Sequence, residues 1–300
     1  MTNTRNRYAD DWNGYSENWE AQYAGRYANL GDEWCDDGTA ERRRDEHLFA
    51  AVAAPWLDAN SSVLEIGPGG GKWTVRLASR SKEVVAFDVA SAMLRRTQSR
   101  CDAACLTNVR FVLGDGDGLC QIADGSVDLV FSYDVFVHIA LEDTVVYIQE
   151  MARVLKNGGV AVIHHAVNDV SAALDRIEAH NDWYRTGATL GQYYYHSQPS
   201  LRLLYERAGF EVLSTWTDYC TCVITVRRPI VAGAAGIEQS LIRAARAQDE
   251  AALEAATAEL ESAAARLQDR LAGLADELRL TTPGQGRYAL IQEIRRTLRG

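Results

Sequence analysis

The sequence predicts an α/β fold: a mostly parallel sheet with helices on both faces. Short apolar runs alternate with amphipathic stretches from about residue 46 to 230. Those runs are apolar throughout instead of alternating with polar residues, as strands covered on both faces are. A glycine-rich segment lies directly between the first such run and the next helix.

Composition sets the bounds. The chain has 300 residues, 47% apolar and 24% charged, enough for a sizeable core and unlike a disordered chain or a disulfide-stapled miniprotein. With 31 Lys and Arg against 41 Asp and Glu, the net charge is −10, which argues against a nucleic-acid partner. The six cysteines form no Cys-x-x-Cys pair, so reduced thiols are expected. Residues 1–12 show no apolar signal core, and no apolar run approaches the ~20 residues of a membrane span. A cytoplasmic protein is expected.

Residues 1–45 are polar with an aromatic beat. Tyr8, Trp12, Tyr15, Trp19, Tyr23 and Tyr27 step by three or four, the spacing of one helical face. Gly14 and Gly25 interrupt them, so two short helices are expected. The stripe either packs on the main domain or forms an aromatic lid over a ligand. Residues 46–230 hold the α/β domain. A helix around Asp45–Leu57 leads into strand Ser62–Ile66, and strands Glu83–Phe87, Val109–Leu113 and Val127–Phe131 follow with helices between. A helix over Tyr147–Leu155, capped by Asn157-Gly158-Gly159, precedes strand Val160–Ile163. A helix over Gln198–Ala208 leads into strands Phe210–Trp216 and Thr221–Val226, which makes seven. The polar stretch Ala166–Ser197 carries Trp183, Tyr184 and Tyr193-Tyr194-Tyr195, and would sit over the carboxyl ends of the strands.

Residues 231–300 change character. Leu253, Leu260, Leu267 and Leu274 repeat every seven residues within the Ala-, Leu- and Glu-rich stretch 237–280. A long helix on its own domain and a coiled coil joining subunits into a homo-oligomer both fit that pattern.

The strongest chemical signal is Val63-Leu-Glu-Ile-Gly67-Pro-Gly69-Gly70-Gly71. Such a loop, opening a helix, lets backbone approach a ligand closely. Asp88 ends the second strand, 21 residues after Gly67, where a carboxylate can accept from both hydroxyls of a ribose. Asp115, within Gly114-Asp115-Gly116, follows the third strand and can accept from an adenine amino group. Together they imply an adenosine ligand. The dinucleotide pattern fails, because its last glycine position is Lys72.

At these residues, and at the helix-Gly-Gly-strand run Arg153–Val160, the chain resembles the class I S-adenosylmethionine-dependent methyltransferases across roughly residues 42–228. The resemblance implies a Rossmann-like domain with S-adenosyl-L-methionine as cofactor. It implies that Gly67, Gly69 and Gly71 hold the methionine part, that Glu65 orders the loop, and that Asp88 binds the ribose with Val89 beside the adenine. Asp115 and Gly116 would recognise the adenine edge. Ser132 and Tyr133 would lie near the sulfonium and the substrate.

Methyl transfer to an alcohol needs a proton acceptor, and histidine suits the task. His138 follows the fourth strand; His164 and His165 end the fifth. Successive strand residues face opposite ways, so one of the pair faces the cleft. By position after the Gly-Gly signature, the resemblance implies His165 as the base, with His138 as the other candidate. Asp134 could orient a histidine. It could also help hold a metal, but the ligand spacing is not diagnostic and no metal site is expected. The run Glu65–Thr74 with the His-His ending also resembles bacterial small-molecule and sugar O-methyltransferases. Trp73, Tyr133, His164 and Trp183 would then line the acceptor site. The expected reaction is methylation of a hydroxyl of a small molecule or glycan. N-methylation of a small amine and a non-catalytic assembly role are the alternatives.

Overall fold

The structure, a computed structural model, describes residues 7–23, 25–34, 40–116, 118–185 and 191–229. The expectations for residues 231–300, including a coiled coil through 237–280, fall outside the described residues. So does the side chain of Trp183.

The helices are α1 (Arg7–Tyr23), α2 (Ala40–Val52), α3 (Thr74–Ala78), α4 (Ser91–Ala103), α5 (Leu141–Val154), α6 (Ser171–Arg185) and α7 (Gln198–Arg207). The strands are β1 (Ser62–Ile66), β2 (Glu83–Asp88), β3 (Val109–Leu113), β4 (Val127–Ser132), β5 (Leu155–Val167), β6 (Tyr195–His196), β7 (Glu211–Asp218) and β8 (Thr221–Arg227). They form one sheet in the order β3-β2-β1-β4-β5-β8-β7, with the two-residue β6 added to the end of β5. β1 through β5 pair in parallel, and β8 runs antiparallel to both β5 and β7. The α/β sheet expected from the sequence is therefore present, with β6 as an eighth, minimal strand. Strand order reverses between β1 and β4, and ligands of open α/β sheets bind outside the strand ends at such a reversal.

Alternation along each strand builds two cores. Leu64 and Ile66 of β1, Val130 of β4, and Ala161, Ile163 and Val167 of β5 pack on one face with α5 and α7. Val63, Leu129, Phe131, Val160 and Val162 pack on the other with Leu48, Phe49 and Leu77. Each large aliphatic or aromatic side chain buried this way contributes roughly 1.5–3 kcal/mol. Among the described residues, no helix is long and apolar enough to cross a membrane.

Three local expectations are corrected. Residues 7–23 form one helix through Gly14, not two pieces. Trp12, Tyr15, Trp19 and Tyr23 pack against Ala90 and Met93 beside α4, and that burial outweighs the ~1 kcal/mol cost of a helical glycine. The chain does turn at Gly25, whose φ of +77° suits glycine. Gly158 and Gly159 do not cap α5 but continue β5: the N–H of Gly158 donates to the Arg228 carbonyl (2.9 Å), and the N–H of Arg228 donates to that of Gly159 (2.8 Å). With its backbone paired this way, β5 spans Leu155–Val167 rather than four residues.

Candidate active site

The loop between β1 and α3 is shaped by its neighbours. Gly67 has a φ of +72°, and a Cβ there would collide with Val135. A Cβ on Gly70 would collide with the carbonyl of Leu30, so the segment after α1 lies directly on the loop. Gly69 also has a left-handed backbone, yet nothing lies within 4 Å of where its Cβ would be. That open side is a cradle. Thr97 of α4 donates its hydroxyl to the Gly69 carbonyl at 2.8 Å and so holds the loop from behind.

Two buried carboxyls flank the cradle. Glu65 is 2% exposed, and its Oε2 has no hydrogen-bond partner. Burial pushes its carboxyl up to about 8; Thr74 opposes the rise and the charge of Asp88 adds to it. Asp88, at the end of β2, is also buried, and this raises it to about 6 against the pull of the backbone N–H groups of Ala90, Gly69 and Val89. Its Oδ1 accepts from the Ala90 N–H at 2.8 Å, which ties β2 to the start of α4. Val89 follows, half-buried. Asp115 is exposed, and Gly116 after it has a φ of +86°. Asp115 and Asp88 both act electrostatically on Tyr147, which places them at one end of the sheet.

The Glu65 shift has a thermodynamic consequence. A folded value of about 8 against an ordinary 4.5 means that the folded, cofactor-free protein keeps a proton the unfolded chain has released. Glu65 therefore takes away stability as pH rises from 4.5 towards 8, by an amount on the order of several kcal/mol. Thermal melts of Glu65→Gln should gain on wild type between pH 5 and pH 9. Parallel pH dependence in the two proteins would count against a buried, neutral Glu65.

Beyond β4, the chain places three titratable groups together. Asp134 has a φ of +61°, a left-handed backbone that is strained for any residue but glycine and best tolerated by Asn and Asp. Its Oδ1 lies 3.0 Å from Nδ1 of His164, and its own N–H is 3.3 Å from the same nitrogen. The carboxylate is the stronger partner, so Nδ1 donates to it. The Asp134 side chain keeps 50% exposure although protein encloses it, as at the floor of a cleft. Enclosure alone would raise this carboxyl, but the hydrogen bond and charge of His164, with His138 and Lys72, hold it below the usual range. The ring of His164 stacks on Tyr133 at 4.1 Å and 4°.

His138 completes the group. Its Nδ1 donates to the Gln192 carbonyl at 2.9 Å, which leaves the lone pair on Nε2. Burial lowers its pKa despite the Gln192 carbonyl and the Asp134 charge, so the ring is neutral near pH 7. Trp12 of α1 lies edge-on to it at 5.0 Å. One residue pair further along, Tyr8 donates its hydroxyl to Asp143 at 2.9 Å and accepts the Ala140 N–H at 3.1 Å. The first helix thus docks both at the start of α4 and on the segment that follows β4.

Several sequence-predicted residues fall elsewhere. His165 is wholly buried on the opposite face of β5, with Nε2 2.9 Å from the Tyr205 hydroxyl. Strand alternation puts it with Ile163 and Val167, while His164 shares the face of Val160 and Val162. Trp73 does not offer a stacking surface either. It is 6% exposed, in the core between Phe49 and Phe131. Tyr133 lies against Trp73 on one side and His164 on another. Ser132 donates its hydroxyl to the Ile66 carbonyl at 2.8 Å and links the ends of β4 and β1. Sequence reasoning missed Arg176. The available signal was a cation on the same helical face as the wholly buried Ala173.

Residues 63–159 match the family of methyltransferase domains. This stretch is similar to methyltransferase domains, and the sheet has the fold of the class I S-adenosylmethionine-dependent methyltransferases. Phosphoethanolamine N-methyltransferase 1 of Caenorhabditis elegans is 28% identical over 144 residues, which is 48% of this chain and 30% of that protein. The biotin biosynthesis bifunctional protein BioHC of Cellvibrio japonicus is 40% identical over 122 residues, 39% of this chain and 23% of that one. The chain thus spans less than a third of the length of these relatives. Magnesium protoporphyrin IX methyltransferase from Synechocystis, solved with bound SAH, shares the fold at a TM-score of 0.56 and 18% identity, covering 75% of this chain and 99% of that one.

S-adenosylmethionine, the cofactor that this likeness implies, fits these residues. The open side of Gly69 leaves room for it, the unpartnered Oε2 of Glu65 offers a buried acceptor to its ammonium group, and Asp88 offers a carboxylate to its ribose.

Proposed function

We propose that the chain methylates a hydroxyl of a small polar acceptor, with His164 in place of His165 as proton acceptor. The observation that carries this reading is the Asp134–His164 pair: a strained, half-exposed carboxylate that fixes the tautomer of an imidazole beside the glycine loop. When bound, S-adenosylmethionine supplies an electrophilic methyl group. Asp134 orients His164 and stabilises the cation formed there. Nε2 of His164 would take the hydroxyl proton of the acceptor. His138, neutral and with its lone pair on Nε2, either assists or orients the acceptor. Trp12 and Tyr8 of α1 brace the His138 side, which supports α1 as a lid that excludes water.

Methylation of an amine is the second reading. It is favoured by the phosphoethanolamine N-methyltransferases among the relatives. An ammonium acceptor also has to lose a proton before it attacks, so the same pair would serve. The deciding experiment incubates the protein with S-adenosylmethionine and matched alcohols and amines, and follows S-adenosylhomocysteine formation and the mass of the product. Turnover with alcohols supports the first reading, and turnover with amines alone supports the second. Weak or absent binding of S-adenosylmethionine would favour an assembly role.

A further inference from the structure

Arg176, on α6, is a partly buried cation without a carboxylate partner among the described residues. Its Nε is buried and has no hydrogen-bond acceptor. The groups that act on its charge are Tyr193, Tyr195, which also hydrogen-bonds to it, and Cys220, none of them a carboxylate. Its guanidinium lies 4.4 Å from the centroid of the Tyr193 ring. Desolvating a guanidinium is costly, and one aromatic face replaces only part of the lost water. An anionic group brought to it would complete what the tyrosines leave unsatisfied.

The position of Arg176 indicates what that anion belongs to. Tyr193 lies edge-on to His138 at 5.2 Å, and the charge of Arg176 acts on His138 itself. His138 in turn interacts with Asp134 on its other side. His138 therefore lies within electrostatic reach of both Asp134 and Arg176. The segment that carries Tyr193 and Tyr195 is fixed in place, since the Tyr194 N–H donates to the Val137 carbonyl at 2.8 Å.

We propose that Arg176, walled by Tyr193 and Tyr195, binds an anionic group of the acceptor, a phosphate or a carboxylate, and so selects acidic acceptors. This rests on the methyltransferase reading and adds the acceptor's charge to it. The planar fork of arginine matches both oxyanions in a bidentate way that lysine does not. The site would also explain how a chain of net charge −10 takes an anionic substrate, by presenting a cation that has no carboxylate partner among the described residues.

The test uses the full chain saturated with S-adenosylhomocysteine. Inorganic phosphate and acetate are titrated calorimetrically into wild type, Arg176→Gln and Arg176→Lys. Wild type should bind at least one anion. Arg176→Gln should weaken that binding by about ten- to a hundredfold, with Arg176→Lys in between and S-adenosylhomocysteine affinity unchanged in both. The preferred anion assigns the group as phosphate or carboxylate. Equal binding by wild type and Arg176→Gln would overturn the proposal, as would binding of neither anion by cofactor-loaded wild type. Should Arg176→Gln fail to fold, the comparison with Arg176→Lys carries the test. Failure to bind S-adenosylhomocysteine would instead strike at the cofactor reading and is scored separately.

Discussion

Asp88→Ala should weaken S-adenosylhomocysteine binding by about 100-fold or more, the largest loss expected from any single cofactor-side substitution. Hydrogen bonds to a charged group contribute about 1.5–3 kcal/mol each, and a carboxylate at the end of β2 can accept from two ribose hydroxyls. The alanine also removes the acceptor for the Ala90 N–H, so a fall in stability accompanies the loss. Asp88→Asn separates the two effects. Its amide oxygen still accepts from Ala90, while the anion is gone. Titration calorimetry should place its affinity between those of wild type and alanine, with a melting temperature close to wild type. Affinity should also fall in wild type below about pH 6, where Asp88 takes up a proton. Wild-type affinity in Asp88→Ala would remove Asp88 from the cofactor site.

Much of this site is legible in the sequence, and the reason is geometric. A glycine loop after β1, an acid at the end of β2 and an acid after β4 each sit at a strand's carboxyl end, and a parallel sheet gathers those ends at one edge. Backbone topology alone brings Gly69, Asp88 and Asp134 to that edge. What the sequence leaves open is decided by packing. Strand alternation says that His164 and His165 face opposite ways, but not which face holds the cleft. That depends on which core each face joins, and here Tyr205 of α7 claims His165. Trp73 has the composition of a ligand platform, yet α3 turns it inward against Phe49 and Phe131. Gly14 argues for a broken helix only until the aromatic side chains of α1 find Ala90 and Met93. Arg176 lies far along the chain from the motifs, and only its tertiary surroundings show that it has no acidic partner among the described residues.

The Asp134–His164 pair gives the sharpest separation of catalysis from stability. Asp134 sits at a φ of +61°, where asparagine is at least as comfortable as aspartate. Asp134→Asn should therefore melt no lower than wild type and bind S-adenosylhomocysteine within a few-fold of it. Its turnover should nonetheless fall by about a hundred- to ten-thousandfold, the range for losing an oriented general base. The amide no longer stabilises the imidazolium, and it can turn its NH₂ towards Nδ1 and favour the wrong tautomer. His164→Ala should cost about as much, and the double variant little more than either single one, because the two residues act as a unit. Raising the pH distinguishes the acceptors. Solvent deprotonates an ammonium at alkaline pH, so an amine acceptor should recover much of its rate in Asp134→Asn near pH 9–10. An alcohol stays protonated there and should not recover. Wild-type turnover in Asp134→Asn at neutral pH would rule the pair out as the base. In that case the neutral ring of His138, held by the Gln192 carbonyl, would be the group left to accept the proton.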